Sequence, residues 1–252
     1  MMQPVLEVKN VTVRFGGVTA VDNASLTINR GDLIGFVGPN GAGKTTLMRV
    51  ITGIVKPQEG EVLLEGRSLL GMSINQRIRA GLALAQQIVQ PLRAMTLLEN
   101  VALACGAAKT SNPLVAMRSF DRSAENQRAM ELLTRVGLKD AAHSEPSKLP
   151  LGYLKRLEVA RALALNPKLL LLDEPLAGLN QSEAQSLADL IKTLNADGLT
   201  ILLIEHNLRE VMRICPQVYV QELGRSLAFG PAKEIMARPD VIRAYLGGTV
   251  DA

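Results

Sequence analysis

The chain has no tryptophan, and aromatic residues make up only 3% of it. Aromatic side chains provide the platforms on which many proteins stack single-stranded nucleic acid. The net charge is only +4, and the basic residues are spread along the sequence rather than clustered. A nucleic-acid surface normally needs a concentrated basic patch. We therefore expect no nucleic-acid partner.

Cysteine is also scarce, since Cys105 and Cys215 are the only two and lie far apart. This scarcity argues against a disulfide framework and suits a reducing compartment. The longest stretch without a charged residue runs from Ala80 to Leu92, whereas a membrane-spanning helix needs about 20 apolar residues. Residues 1–7 lack the basic head and apolar core of a signal peptide. We therefore expect a cytosolic protein without a membrane span of its own.

The hydrophobic pattern predicts an α/β fold. Two-residue alternation in residues 6–28, interrupted by Gly16-Gly17, is typical of antiparallel strands joined by a turn. Short apolar runs with the length of buried parallel strands occur at 33–37, 169–172 and 201–204. Helices are predicted at 44–52 and 185–194. Strands and helices in this order indicate a parallel sheet at the centre of the protein.

The middle of the chain, from about residue 93 to 161, has a different character. Apolar residues at helical spacing in 129–136, followed by Gly137, predict a helix that ends at the glycine. The polar stretch 109–123, interrupted by a proline, is interpreted as a connection. A helical unit is therefore predicted to be inserted into the α/β core.

The first of those buried strands leads into a sequence that fits the pattern G-x-x-x-x-G-K-[ST]. Backbone N–H groups of such a loop turn inward around phosphate oxygens, and the next helix directs its positive end there. The lysine adds charge for the β- and γ-phosphates, and the next hydroxyl is a ligand for Mg²⁺. The alternative is a glycine-rich turn that matches by chance. The predicted nucleotide-binding residues are Gly38, Pro39, Asn40, Gly41, Ala42, Gly43, Lys44, Thr45 and Thr46.

Two acids and a histidine follow the other two buried strands. Asp173 stands where a carboxylate could hold Mg²⁺, and Glu174 could orient and deprotonate a water that attacks the γ-phosphate. His206 lies at the carboxyl end of a parallel strand, where ligands bind, and could bridge the γ-phosphate and the water. The alternatives are two solvated acids and a purely structural histidine.

Together these motifs resemble the ATP-binding subunit of ABC transporters over nearly the whole chain. The resemblance implies a P-loop NTPase (RecA-like) core with an N-terminal antiparallel β subdomain and an inserted α-helical subdomain. It also implies that Phe15 stacks on adenine and that His206 is the switch histidine. Gln87, rather than Gln86, is assigned to the glutamine loop, where it would sense Mg²⁺ or water. The expected ligands are therefore ATP and Mg²⁺.

The resemblance also divides the chain. Residues 1–92 and 158–228 are assigned to the nucleotide-binding core with its β subdomain, 93–157 to the helical subdomain, and 229–252 to a C-terminal helical extension. Short sequences at 176–180, 204–207 and 244–248 are similar to the branched-chain amino acid importer branch of the family.

One segment departs from the family pattern. The family signature is usually Leu-Ser-Gly-Gly-Gln, which reaches across a dimer to the γ-phosphate of the other subunit. Here the segment reads Leu149-Pro150-Leu151-Gly152-Tyr153, and proline supplies neither a hydroxyl nor an N–H group. We therefore hypothesise a heterodimer with one good and one weak ATP site. The alternative is that Tyr153 or Lys155 substitutes for the missing donors.

The resulting hypothesis is an ATPase subunit of an importer for branched-chain or related amino acids, on the cytoplasmic face of the inner membrane. Its partners would be permease subunits, a second ATP-binding subunit and, indirectly, a solute-binding protein. Apolar residues near 87–98 are a candidate dock for the permease, or simply part of the core. Other functions left open are uptake of urea, amides or aromatic acids, export, a soluble ABC ATPase acting on nucleic acid, and a small-molecule kinase.

Overall fold

The computed structural model describes residues 4–85, 90–106 and 122–246. The strands are β1 (Pro4–Phe15), β2 (Val18–Asn29), β3 (Leu33–Val37), β4 (Glu59–Leu64), β5 (Arg67–Ser68), β6 (Leu82–Ala85), β7 (Leu169–Asp173), β8 (Thr200–Ile204), β9 (Gln217–Glu222) and β10 (Arg225–Pro231). The helices are α1 (Lys44–Thr52), α2 (Ile74–Ala80), α3 (Leu97–Cys105), α4 (Ser123–Arg135), α5 (Leu151–Leu163), α6 (Gln181–Ala196), α7 (Leu208–Ile214), α8 (Ala232–Met236) and α9 (Pro239–Leu246).

A small antiparallel sheet is formed largely by the N-terminal part of the chain, with the strand order β2-β1-β4-β5. The predicted turn at Gly16-Gly17 joins β1 to β2, and Phe15 pairs with Val18 across it. Apolar side chains of β1 and β2 are buried in one hydrophobic cluster together with residues of α1. The small sheet therefore covers one side of this hydrophobic cluster.

A larger sheet has the strand order β10-β9-β3-β8-β7-β6. The strands from β9 to β6 in this order run parallel to their neighbours, and β10 pairs with β9 in the antiparallel direction. Successive residues of β7 belong to two different hydrophobic clusters, one on each face of the large sheet. Leu169 and Leu171 belong to the cluster shared with the small sheet, while Leu170 and Leu172 belong to the cluster shared with the helices. Burial of both faces explains why these strands read as continuous apolar runs.

Helices α3, α4 and α5 pack against one another beside the large sheet. Helix α4 ends before Gly137, as predicted, because Gly137 takes the left-handed conformation with φ of 75°. Helix α6 begins four residues earlier than predicted, since Asn180 and Glu183 form a capping box at its start. The predicted connection at 109–123 lies outside the described residues except for Arg122 and Ser123, where α4 begins.

The proposed division into core, helical subdomain and C-terminal extension stays a prediction. Helix α5 runs unbroken across the assigned boundary at 157/158, and strand β10 runs across the one at 228/229. Within the described ranges, no helix is long and apolar enough to cross a bilayer.

Candidate active site

Three neighbouring parallel strands end at the same edge of the large sheet. Ile204 at the end of β8 pairs with Phe36 near the end of β3 on one side and with Asp173 at the end of β7 on the other. The loops that follow these strands carry the glycine-rich sequence, Glu174 and His206. The topology therefore brings together three motifs that lie far apart in the sequence.

The loop from 38 to 43 needs glycine because of its backbone geometry. Gly41 and Gly43 have φ of 78° and 96°, in the left-handed region that favours glycine. A Cβ atom at Gly43 would collide with the carbonyl oxygen of Ala20 and lie 2.8 Å from Nε2 of Gln221. Helix α1 then starts at Lys44 without a cap from any side chain in the described residues. Its first N–H groups are therefore available to bind an anion.

The ammonium group of Lys44 is held inside this loop. Nζ donates to the carbonyl oxygens of Gly38 at 2.7 Å and Pro39 at 2.9 Å. Burial lowers the pKa of Lys44, and the negative charges of Glu174 and Asp173 oppose that shift. These carbonyls are dipoles and carry no net charge. A phosphate group that enters the loop would therefore supply the negative charge that pairs with the ammonium group of Lys44.

A cavity of about 330 Å³ lies in front of the loop. It is lined by Val18, Thr19, Ala20, Asn40, Gly41, Ala42, Gly43, Lys44, Thr45, Thr46, Glu174 and His206. It therefore brings together most of the predicted nucleotide-binding residues with the predicted general base and switch histidine. Gly38 and Pro39 do not line it, but their carbonyl oxygens accept hydrogen bonds from Lys44.

Glu174 and His206 face each other on the cavity wall. Oε1 of Glu174 lies 3.0 Å from Nε2 of His206, and the two atoms share a hydrogen bond. Glu174 has φ of 49°, a left-handed conformation that is strained for a glutamate, and its N–H group donates to the carbonyl of Ile204 at 2.9 Å.

Asp173, the last residue of β7, is half-buried beside the cavity. Burial and then the negative charge of Glu174 raise the pKa of its carboxyl group. Its carboxylate and the hydroxyl of Thr45 are hard oxygen donors, the ligand type that Mg²⁺ prefers. No cluster of three or more histidine, cysteine or acidic residues among the described residues could hold a metal.

Comparison with known proteins identifies the family. The family model described as ABC transporter matches residues 21–177. The branched-chain amino acid transport ATP-binding protein LivG of Escherichia coli is 42% identical over 253 residues, which cover 98% of this chain and 99% of LivG. The chain belongs to the ABC transporter family.

Solved structures of such cassettes agree with the fold. A cassette of an ABC transporter in its ADP conformation superposes with a TM-score of 0.85 and 31% identity, covering 97% of this chain and 99% of that one. A dimeric cassette bound to ADP and phosphate has a TM-score of 0.77 and 26% identity, covering 90% and 98% of the two chains. The predicted family, fold class and ATPase function are therefore confirmed.

Of the predicted site residues, Phe15, Gly38, Pro39 and Asp173 are not among those that line the cavity. Gln87 lies outside the described residues. Phe15 is 53% exposed at the end of β1 and does not line the cavity, whereas Val18 on the next strand does. Stacking of adenine on Phe15 therefore stays a prediction.

The signature-like segment forms the start of helix α5. Pro150 is the N-cap, and the N–H groups of Tyr153 and Leu154 donate to its carbonyl. Tyr153 is 41% exposed, so it is accessible to a partner subunit. Lys155 is buried, and its Nζ donates to the carbonyl oxygen of Glu174 at 3.2 Å. Lys155 is therefore not available as a substitute donor to a partner's phosphate, and of the two candidates only Tyr153 remains.

Glu205, between β8 and His206, is a residue that the sequence reasoning did not assign. Its side chain is buried, and burial raises its pKa. Oε1 accepts a hydrogen bond from the N–H group of Leu176 at 2.6 Å, and Oε2 accepts one from that of His206 at 3.1 Å. It thus joins the loops after β7 and β8. The sequence offers one sign of such a role, which is a charged residue directly after the apolar run 201–204.

Proposed function

We propose that this ABC ATPase energises the uptake of branched-chain or related amino acids through partner permeases. The observation that carries the catalytic part is the pair formed by Glu174 and His206 on the wall of the phosphate-loop cavity. The solute is proposed because of the 42% identity to LivG over almost the full length of both chains.

In the proposed reaction the loop and the first turn of α1 bind the phosphates, and Lys44 neutralises the terminal ones. Glu174 orients the attacking water and accepts its proton, while His206, bonded to Glu174, holds the carboxylate in place. Mg²⁺, held by Thr45 and Asp173, would supply positive charge for the phosphate oxygens. The catalytic contribution of the protein is then mainly positioning and electrostatic stabilisation.

The variant Glu174→Gln tests the catalytic assignment. It keeps the size and shape of the side chain but removes the base, so hydrolysis should slow by about 10²- to 10⁴-fold. Binding of Mg-ATP should stay largely intact, which can be measured by calorimetry on the same preparation. Glu131→Gln, at an exposed position of α4, serves as a control for the same chemical change away from the cavity. Hydrolysis at the native rate in Glu174→Gln would contradict the assignment.

Uptake by cells tests the solute. Cells that carry Glu174→Gln in place of the native chain should lose high-affinity uptake of labelled leucine. If ATP hydrolysis fails but leucine uptake persists at the native rate, the ATPase belongs to a transporter for another solute.

The partners in this proposal are permease subunits, a second ATP-binding subunit and, through the permeases, a solute-binding protein. The chain would then be peripheral, on the cytoplasmic face of the membrane. The candidate dock near residue 92 includes the exposed side chain of Leu92, whereas Leu97 belongs to the core. Ile88 and Val89 lie outside the described residues.

We also propose that the dimer is asymmetric. Pro150 lacks a hydroxyl and an N–H group at the N-cap of α5, although the N–H groups of Leu151 and Gly152 remain. Loss of one or two donors from a transition-state clamp costs about 2–4 kcal/mol. The purified chain should therefore hydrolyse ATP more slowly per subunit than a mixture with a paralogous subunit that carries an intact signature. Equal rates per subunit would contradict the asymmetry.

A further inference from the structure

A buried lysine connects the helix of the signature-like segment to the backbone of Glu174. Lys155 is the fifth residue of α5, and it is 4% exposed. Its Nζ donates to the Glu174 carbonyl oxygen at 3.2 Å. The negative charges of Glu205, Glu174 and Asp173 act on it and partly compensate the cost of its burial.

The strained backbone of Glu174 is held from both sides. Its N–H group donates to Ile204 on β8, and its carbonyl accepts from Lys155 on α5 and from the N–H group of Ala177, each at 3.2 Å. Its φ of 49° lies in the left-handed region, which is uncommon for residues other than glycine. Glu205 fixes the neighbouring residues by accepting hydrogen bonds from the N–H groups of Leu176 and His206. The Lys155 bond is therefore one of the contacts that fix the direction of the Glu174 carboxylate.

We propose that Lys155 is a positioning residue, which holds the backbone of Glu174 in the conformation that directs the carboxylate at the attacking water. The proposal rests on the proposed catalytic role of Glu174. Lys155 would also link the two ATP sites of the proposed dimer, because its helix, α5, begins with the signature-like segment that the proposed partner subunit would contact. A shift at Leu151 would be transmitted through less than two helical turns to the Glu174 carbonyl.

The test replaces Lys155 with methionine, which keeps the length of the side chain but removes the donor. We expect the rate of single-turnover hydrolysis at saturating Mg-ATP to fall by about 10- to 100-fold, the usual effect of a small misplacement of a catalytic group. The dissociation constant for Mg-ADP, measured by calorimetry, should change by less than about threefold, because Lys155 is not among the residues that line the cavity. Lys155→Arg, which retains a donor, should recover part of the rate.

Arg156, the next residue on α5, provides a matched control. Its guanidinium donates to Val136 and Ser186, each at 2.8 Å, away from the catalytic loops. Arg156→Met therefore removes comparable hydrogen bonds from the same helix, and it should lower the melting temperature without lowering the rate per ADP-binding site. If Lys155→Met fails to fold, Lys155→Gln carries the test, since its side chain is too short to reach Glu174 but keeps a polar group beside the carboxylates of Glu205 and Asp173.

The outcomes separate the two proposals. If Glu174→Gln leaves hydrolysis unchanged, the proposed function is wrong. If Glu174→Gln slows hydrolysis while a folded Lys155 variant turns over like Arg156→Met, the role of Lys155 is wrong. A loss of rate with intact ADP binding in the Lys155 variant supports its positioning role.

Discussion

The side chain of Gln221 on β9 offers a stability test whose sign is unusual. Gln221 is fully buried behind the phosphate loop, and within the described part of the chain neither its Oε1 nor its Nε2 has a hydrogen-bond partner. A buried polar group without a partner costs about 1–3 kcal/mol. Methionine has nearly the same length and volume and no polar atom to satisfy. Gln221→Met should therefore stabilise the protein.

Taking the lower end of that range for each of the two atoms gives a gain of about 2 kcal/mol in the free energy of unfolding. For a chain of this size, that gain corresponds to a rise of about 4–8 °C in melting temperature. Thermal unfolding followed by circular dichroism, in the absence of nucleotide, measures it. Gln127→Met makes the same change on the exposed face of α4 and should alter stability by less than about 0.5 kcal/mol. A lower melting temperature for Gln221→Met would refute the reasoning, because it would show that the amide has partners in solution.

Two further substitutions test the phosphate loop and the loop that precedes α3. Gly43→Ala forces a side chain into a left-handed position against Ala20 and should weaken Mg-ADP binding by about 10- to 100-fold. The control is Gly66→Ala, at φ of 76° with no atom within 4 Å of the new methyl group, which should leave binding unchanged. Equal affinities of the two variants would contradict the steric argument. Asn100→Ala removes a buried amide that forms hydrogen bonds with Leu92, Met95 and Thr96. It should lower the free energy of unfolding, measured in urea, by about 2–4 kcal/mol. An unchanged urea midpoint would mean that this amide does not hold the loop at 92–96 in place.

The fold was predictable where local chemistry decides it. The strands at 33–37, 169–172 and 201–204 are surrounded by apolar partners on both faces, so their sequences are apolar throughout and stand out. The loop at 38–45 is recognisable because few residue types permit its backbone. The start of α6 was placed too late, since a polar first turn with Asn180 as its cap carries no apolar period. The pairing of Glu174 with His206 depends on strand order, which the sequence states only indirectly.

Lys155 illustrates why the rest of the site could not be predicted. The residues buried on α5 include Gly152, Lys155, Leu157, Val159, Ala160, Ala162 and Leu163, so the helix is covered on most sides and has no single apolar stripe. Periodicity indicates a buried face only when the opposite face is polar, and it therefore gave no direction for the lysine. A charged residue two positions after an exposed tyrosine reads as a solvated donor, which is why both were candidates for the partner's site. Only the packing of α5 against the end of β7 assigns the ammonium group to Glu174 of its own chain, because a buried charge must find its partners among the atoms that bury it.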